Sequence, residues 1–284
     1  SHPSFTDLGF KNNYNFMIKN VNTDSQKSMK YKDKANYQLG TIIEYNSTYP
    51  MIKTMDNYTS IIKPMTSIMF SPNKSKNMRD EDKRIDINNI FSLERLGVND
   101  SLKGGTSFTY GIEYSKTDQT DKKIIGAKIA NSLKLTEDKK LPGSSHIGKK
   151  TSDFVGNLNY SPNKFFNTNY DFSIDENFSD INYQLLGFDF KVNNFITTFE
   201  YLNENHTING PSYLTNKTAL NIDGTNKLLF STRENKKNNF TEFYNLIYQY
   251  RNDCLIAALE YNKDYYNDGD IKPEESILFR LTIM

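Results

Sequence analysis

The chain has 284 residues, with 35 basic against 34 acidic side chains, one Cys, no Trp and a mean hydropathy of −0.70. No run approaches the roughly 18 to 20 apolar residues that a membrane-crossing helix needs, and a single Cys cannot build an internal disulfide framework. A net charge of +1 from interspersed signs leaves no electrostatic footprint for nucleic acid, while 13% Phe and Tyr in a chain only 36% hydrophobic fits an aromatic-rich β protein.

The start, Ser1-His2-Pro3-Ser4-Phe5, has no initiator Met and no basic or apolar leader, so the chain reads as a mature protein or an excised piece. From there segment after segment alternates with period two, which puts successive side chains on opposite faces of a strand. In chain order, strands are predicted at 10–19, 36–46, 58–70, 85–93, 108–114, 123–135, 151–160, 165–174, 186–192, 195–201, 213–222, 226–233, 244–250, 255–261 and 277–283, about 15 in all. Six are sharply two-faced. Their apolar sets are Phe108, Tyr110, Ile112 and Tyr114; Leu186, Phe188, Phe190 and Val192; Phe195, Thr197, Phe199 and Tyr201; Tyr244, Leu246, Tyr248 and Tyr250; Leu255, Ala257, Leu259 and Tyr261; and Ile277, Phe279, Leu281 and Ile283. The opposite faces carry Glu113, Asp189, Lys191, Glu200, Glu260 and Arg280, with Lys128 on a weaker strand. No internal repeat or shift in composition marks a second domain.

Alternation alone fits a soluble sandwich as well as a membrane barrel. Three features favour the barrel. Most strands run to about nine residues or more, which matches the nine to eleven tilted residues that cross a bilayer better than the five or six of a soluble sheet. Connections in the second half alternate between short turns (161–164, 192–194, 223–225, 251–253) and longer polar loops (136–150, 175–180, 205–212, 234–239, 264–274), as in outer-membrane barrels. Tyr ends the apolar stripe at Tyr114, Tyr201, Tyr250 and Tyr261, where an interfacial girdle sits. The expected fold is therefore all-β, an antiparallel transmembrane β-barrel.

Particular residues then carry a resemblance. Asn89-Ile90-Phe91-Ser92-Leu93-Glu94-Arg95-Leu96-Gly97-Val98-Asn99-Asp100, followed by Gly104-Gly105-Thr106 and Tyr110-Gly111, resembles the signature of the LptD family, lipopolysaccharide-assembly proteins of the Gram-negative outer membrane. Glu94, Val98, Ser101 and Lys103 stand where the family usually has Asn, Gly, Arg and Glu. Ile61-Ile62-Lys63-Pro64, Asp80-Glu81-Asp82, Leu141-Pro142-Gly143, Ser152-Asp153-Phe154-Val155-Gly156, Tyr160-Ser161-Pro162, Asn252-Asp253-Cys254, Tyr265-Tyr266 and Ile271-Lys272-Pro273 are similar to family stretches in the same order. The likeness covers about residues 50–284.

The resemblance implies lipopolysaccharide transport and insertion into the outer leaflet, with no enzymatic step and no cofactor. It implies that residues 1–284 are the C-terminal part of a larger barrel, as a partial barrel of about 15 strands, with an N-terminal jellyroll and the first barrel strands absent. It implies an LptE-like plug lipoprotein inside the barrel, a periplasmic lipopolysaccharide bridge upstream, and contact with outer-membrane lipid. Phe91, Arg95, Asp100, Gly104, Gly105, Tyr110 and Gly111 are the matching signature positions. Cys254 reads either as a small buried apolar residue or, by the resemblance, as one half of a disulfide to the jellyroll. Ser276, Ile277, Leu278, Phe279, Arg280, Leu281 and Thr282 form the strand that in the family borders a lateral gate; an ordinary closing strand would look the same. Glu113, Asp189, Lys191, Glu200, Glu260 and Arg280 are candidates to line the lumen.

Two other functions stay open at this stage. A general porin or channel would close from this chain alone, and an outer-membrane enzyme would need a Ser–His pair. The three His, at 2, 146 and 206, lie in expected loops or at the terminus, without metal-ligand spacing. Asp80-Glu81-Asp82 reads as a solvated acidic loop, and Gly104-Gly105 as a turn before a strand with no helix to make a phosphate loop.

Overall fold

The structure is a computed structural model and describes residues 2–24, 26–27, 34–81, 83–97, 102–205, 210–265 and 272–283. Period-two segments become strands wherever backbone donors are free to pair. The strands are His2–Phe5 (β1), Lys11–Thr23 (β2), Asn36–Thr48 (β3), Met51–Met55 (β4), Tyr58–Ser71 (β5), Gly105–Asp118 (β6), Lys123–Lys134 (β7), Phe154–Tyr160 (β8), Phe166–Ile174 (β9), Ile181–Val192 (β10), Phe195–Glu204 (β11), Ser212–Asn221 (β12), Asn226–Asn235 (β13), Phe240–Arg251 (β14), Leu255–Asp264 (β15) and Glu274–Ile283 (β16). They form one antiparallel sheet whose order follows the chain from β1 to β16, with β4 on β5. The fold is all-β, of the partial-barrel kind.

Two of these strands are absent from the expected set. β1 pairs β2, and β4 continues β3 along β5: Thr48 faces Met65 and Met51 faces Ile62, so the register is unbroken across Tyr49 and Pro50. Pro50 and Pro64 have no N–H to give this ladder, and one long strand is divided in two. The strand expected at 85–93 does not form. Asp86 Oδ1 accepts from the backbone N–H of Asn88 and Asn89, and Asn89 Oδ1 accepts from that of Asp86, which curls the chain into turns. Side-chain oxygens have taken the donors a ladder would need.

The chain divides into two compact units, Ser1–Leu158 with Phe172–Asn182, and Asn159–Asp171 with Tyr183–Met284. In the first, the connections at 6–10, 56–57 and 119–122 are short, and those at 72–104 and 135–153 are long. The described residues of the long ones fold into a cap. Met78, Ile85, Ile87, Ile90 and Leu96 of one pack with Leu141 and Ile147 of the other over Ala130 of β7 and Val155 of β8. This is the packed apolar core of the described residues, and it lies largely outside the strands. In the second unit, 161–165, 193–194, 222–225 and 252–254 alternate with 205–211, 236–239 and 265–273.

The faces of the sheet are inverted relative to a protein folded in water. In the first unit Tyr14, Phe16 and Ile18 of β2, Leu39 and Ile43 of β3, Ile68 and Phe70 of β5, and Phe108 and Ile112 of β6 are exposed. The other face buries Glu44, Ser67, Ser107, Thr109 and Ser132. In the second unit register aligns Val192, Phe195, Leu220, Leu228, Tyr248, Leu259 and Phe279 in one row. On the opposite face it aligns Asp189, Thr198, Lys217, Ser231, Asn245, Asn262 and Ser276. Apolar-out and polar-in is what lipid on one side and water on the other select.

Candidate functional site: the polar inner wall

On the polar face of the first unit, Glu44 is about 1% exposed and accepts from Asn15 at 2.9 Å, Asn46 at 2.9 Å and Ser67 at 3.0 Å. Burying a carboxylate is tolerable when donors fill its lone pairs, and three adjacent strands supply them. Glu113 pairs with Lys63 at 2.8 Å across β5 and β6 and faces Lys128 in the β6–β7 register. Lys128 also reaches over the Phe91 ring, 5.8 Å from its centroid.

The signature residues are distributed between cap and wall. Phe91 packs against the cap core. Arg95 crosses to the wall, donating to Ser132 of β7 and Thr109 of β6 at 2.8 Å each, and burial pushes its guanidinium down to about 10 against the opposing pull of Glu44. Gly104 sits where a Cβ would lie 1.9 Å from the Asn73 carbonyl oxygen, and Gly105 holds φ of +94°, so both positions exclude other side chains. Tyr110 shares the apolar face with Phe108 and Ile112, and Gly111 lies opposite Met65 and Ala130. Asp100, like Asp82, His206, Tyr266 and Ile271, lies outside the described residues.

A second buried carboxylate holds the base of the cap. Asp153 is fully buried and accepts from His146 Nδ1 at 2.6 Å, Ser173 at 2.7 Å and Asn182 at 2.8 Å, while its own N–H donates to Ser145 O. Ser, His and Asp are thus together, yet the Ser173 hydroxyl donates to the carboxylate, an arrangement that ties down a loop and does not activate a nucleophile.

In the second unit Asp189 accepts from Asn167 at 3.2 Å and Thr198 at 2.8 Å. Glu260 accepts from Asn245 at 2.9 Å, Asn262 at 3.2 Å and Arg280 at 3.2 Å. By strand parity Lys191 and Glu200 share this polar face, Glu200 next to Thr215 in the register and Lys191 opposite Ile196. A bulge at Arg233/Glu234 leaves Glu242 without a register partner. Its carboxylate, nearly buried, takes Arg233 Nε at 2.6 Å and Asn235 at 3.2 Å, and the Arg233 guanidinium lies 4.9 Å from the Tyr213 ring centroid. Sequence reasoning passed over Arg233 and Glu242, because the bulge that joins them breaks the alternation. Thr197, counted with an apolar set, is buried and shares a 2.7 Å hydroxyl contact with Thr218 opposite it.

Cys254 is exposed in the 252–254 turn, where Asn252 Oδ1 accepts from the N–H of Cys254 at 3.0 Å and of Leu255 at 2.8 Å. Its reading as a buried apolar residue is overturned: the turn's hydrogen bonds go to Asn252 and leave the thiol outside. Ser276 to Thr282 lie in β16, paired on one side to β15, with Ile277, Leu278, Phe279, Arg280 and Leu281 exposed.

Strands long enough to cross a bilayer, one apolar face and one hydrogen-bonded polar face define the wall of a transmembrane β-barrel. No curated protein matches the chain. The family model of LptD, LPS transport system D, matches residues 8–268, and the chain belongs to the LptD family, whose work is lipopolysaccharide transport at the outer membrane.

Proposed function

We propose that this chain forms part of the barrel wall of a lipopolysaccharide translocon in a Gram-negative outer membrane, delivering its substrate to the outer leaflet. The observation that carries the reading is the continuous polar row from Asp189 to Ser276 behind an apolar exterior. A lumen wetted along this row accommodates the saccharide of a glycolipid, while its acyl chains need an apolar exit. β1 and β16 stand at the ends of the strand order, and an unpaired edge is costly in lipid. Further strands of a larger barrel would complete it, with residues 1–284 as its C-terminal portion. Ser276 to Thr282 would then border the lateral gate, and Asp189, Lys191, Glu200, Glu260, Arg280 and Glu113 would line the path. An LptE-like lipoprotein would plug the lumen, and a periplasmic bridge protein would feed it through an N-terminal domain. Cys254, exposed in a short turn, would pair with a cysteine of that domain.

The test is a photo-crosslinking amino acid placed at Asn245 of the native gene product in cells. Lipopolysaccharide is expected on Asn245 and not on Leu246, whose side chain faces the other way; equal labelling at both would sink the proposal. Non-reducing electrophoresis with Cys254→Ser as control checks the tie to the upstream domain: a mobility shift that the substitution abolishes is expected, and no shift removes that part of the reading.

A further inference from the structure

The apolar face of the first unit is not evenly filled. Between β5 and β9 it opens into a groove of about 330 Å³, inside the range of roughly 300–1,000 Å³ that small-molecule sites occupy. Ile62 of β5, Ile112 and Tyr114 of β6, and Ala127 and Ile129 of β7 form its floor. Register sets Tyr114 between Ile62 and Ala127, and Ile112 beside Ile129, so all five share the apolar face. Leu158 of β8 and Phe172 of β9 form the far wall. Small residues make the space: Ala127 stands among large side chains, and a side chain at Gly156 would run into the Phe172 ring. Lys128 is the charged member of the lining, and its ammonium turns to the Phe91 ring under the cap. In a bilayer such a groove is filled by lipid tails, since wall atoms without partners lose their dispersion contacts.

A cation beside the groove sets it apart from the rest of the apolar face. Lys116 follows Tyr114 on the same face of β6, about 7 Å further along the strand, with Ser60 on one side and Ile125 on the other. Its ammonium lies 3.8 Å from the centroid of the Tyr58 ring and meets no carboxylate among the described residues. Asp118, next along that face, is engaged by the 119–122 turn, accepting from Thr120 and from the Lys122 N–H. Between Lys116 and the groove the Ser60 and Tyr114 hydroxyls stand 3.5 Å apart. Apolar groove, hydroxyls and cation follow one another as tail, glycerol and phosphate do in a phospholipid. The level in the membrane agrees. Groove and Lys116 lie toward the short 56–57 and 119–122 turns, and short turns face the periplasm in outer-membrane barrels, at the leaflet built of phospholipid.

We propose that this groove seats one acyl chain of a phospholipid of the periplasmic leaflet, with the lipid phosphate on Lys116. The Tyr58 ring holds the ammonium in place, and charge-assisted bonds from Lys to phosphate oxygens are of the strong kind. The site depends on the apolar face meeting lipid and not on what the lumen carries, so it and the transport reading can fail separately.

The experiment uses the full-length protein refolded into vesicles of phosphatidylethanolamine, a fraction of which carries a diazirine on one acyl chain, with adducts located by peptide mass spectrometry. Adducts are expected to concentrate on Ile112, Ala127 and Leu158 relative to Leu246 and Leu259, which are exposed apolar residues of the second unit. Ala127→Leu fills the groove and should abolish the excess, whereas Ala257→Leu, the same change on the apolar face of β15, should leave it. Lys116→Gln should lower the excess about fivefold, the loss expected of one interfacial cation beside a lipid phosphate. Heat modification checks that each variant has folded. Equal labelling of both units overturns the proposal, as does an excess that survives Ala127→Leu or Lys116→Gln. A photo-crosslinking amino acid at Leu158 in cells identifies the occupant: a phospholipid adduct is expected, and a protein or lipopolysaccharide adduct in its place would overturn the assignment.

Discussion

A single pair of substitutions on adjacent strands separates a lipid-facing sheet from a water-facing one. Leu246 in β14 lies between Phe230 and Tyr261 on the apolar face and is 40% exposed. In a protein folded in water such a position tolerates Arg within about 0.5 kcal/mol. In a bilayer the guanidinium would sit in hydrocarbon, at a cost of about 2–4 kcal/mol near mid-depth, a factor of roughly 30 to 1000 in the folding equilibrium. Asn262 of β15 is the control. It faces Asn245 and Ser276 in the polar row and donates to Glu260, so Lys at 262 keeps a donor near that carboxylate and should change stability by less than about 0.5 kcal/mol. Urea titration of the protein refolded into lipid vesicles, followed by heat-modifiable electrophoresis, reads both. If Leu246→Arg and Asn262→Lys agree to within about 0.5 kcal/mol, the assignment of faces is wrong.

Three further outcomes follow from the buried polar groups and turns. Asp153→Ala strands the Ser173, Asn182 and His146 donors in a buried site; at about 1–3 kcal/mol for each unsatisfied group, the 135–153 loop should detach, and limited proteolysis there should accelerate while the strands persist. Gly104→Ala drives a Cβ into the Asn73 carbonyl, so the cap should open at a cost of about 1–3 kcal/mol, detected as faster hydrogen exchange at residues 73–76; unchanged exchange would contradict the close approach. The Asp223 carboxylate, at the exposed 222–225 turn, accepts from the Asn226 side chain and from Thr225, and these bonds hold it well below the usual carboxylate range. A depressed folded-state value means that its contribution is present above the ordinary value of about 3.9 and is lost only as pH falls below that range. Exchange at Thr225 and Asn226 should stay slow from neutrality to about pH 4, and in Asp223→Ala it should be fast throughout.

Strands were legible where the alternation was clean, because one face must be charge-free and the other polar; β6, β10, β11 and β14–β16 stand where period two put them. The misses have local causes. Ile85 and Ile87 alternate with Asp86 as a strand would, yet Asp86 and Asn89 spend their side chains on the backbone. β4 escaped because Pro50 breaks the pattern without breaking the register. Of the polar wall, individual charges such as Glu113, Asp189 and Glu260 could be placed on a face. What could not be read was their neighbourhood: Glu44 gathers donors from residues 15, 46 and 67, and Arg95 finds Thr109 and Ser132 across two strands. Period specifies a face, whereas partners depend on register, and register is set by pairing over long sequence distances.

The location of the apolar core has a consequence for biogenesis. Met78, Ile85, Ile87, Ile90, Leu141 and Ile147 come from two connections and find Ala130 and Val155 waiting on β7 and β8, so this cluster cannot assemble until those strands stand side by side. Before insertion, neither face of the sheet offers the strands a reason to stay together in water. The closing of the cap would therefore mark the completion of that part of the wall.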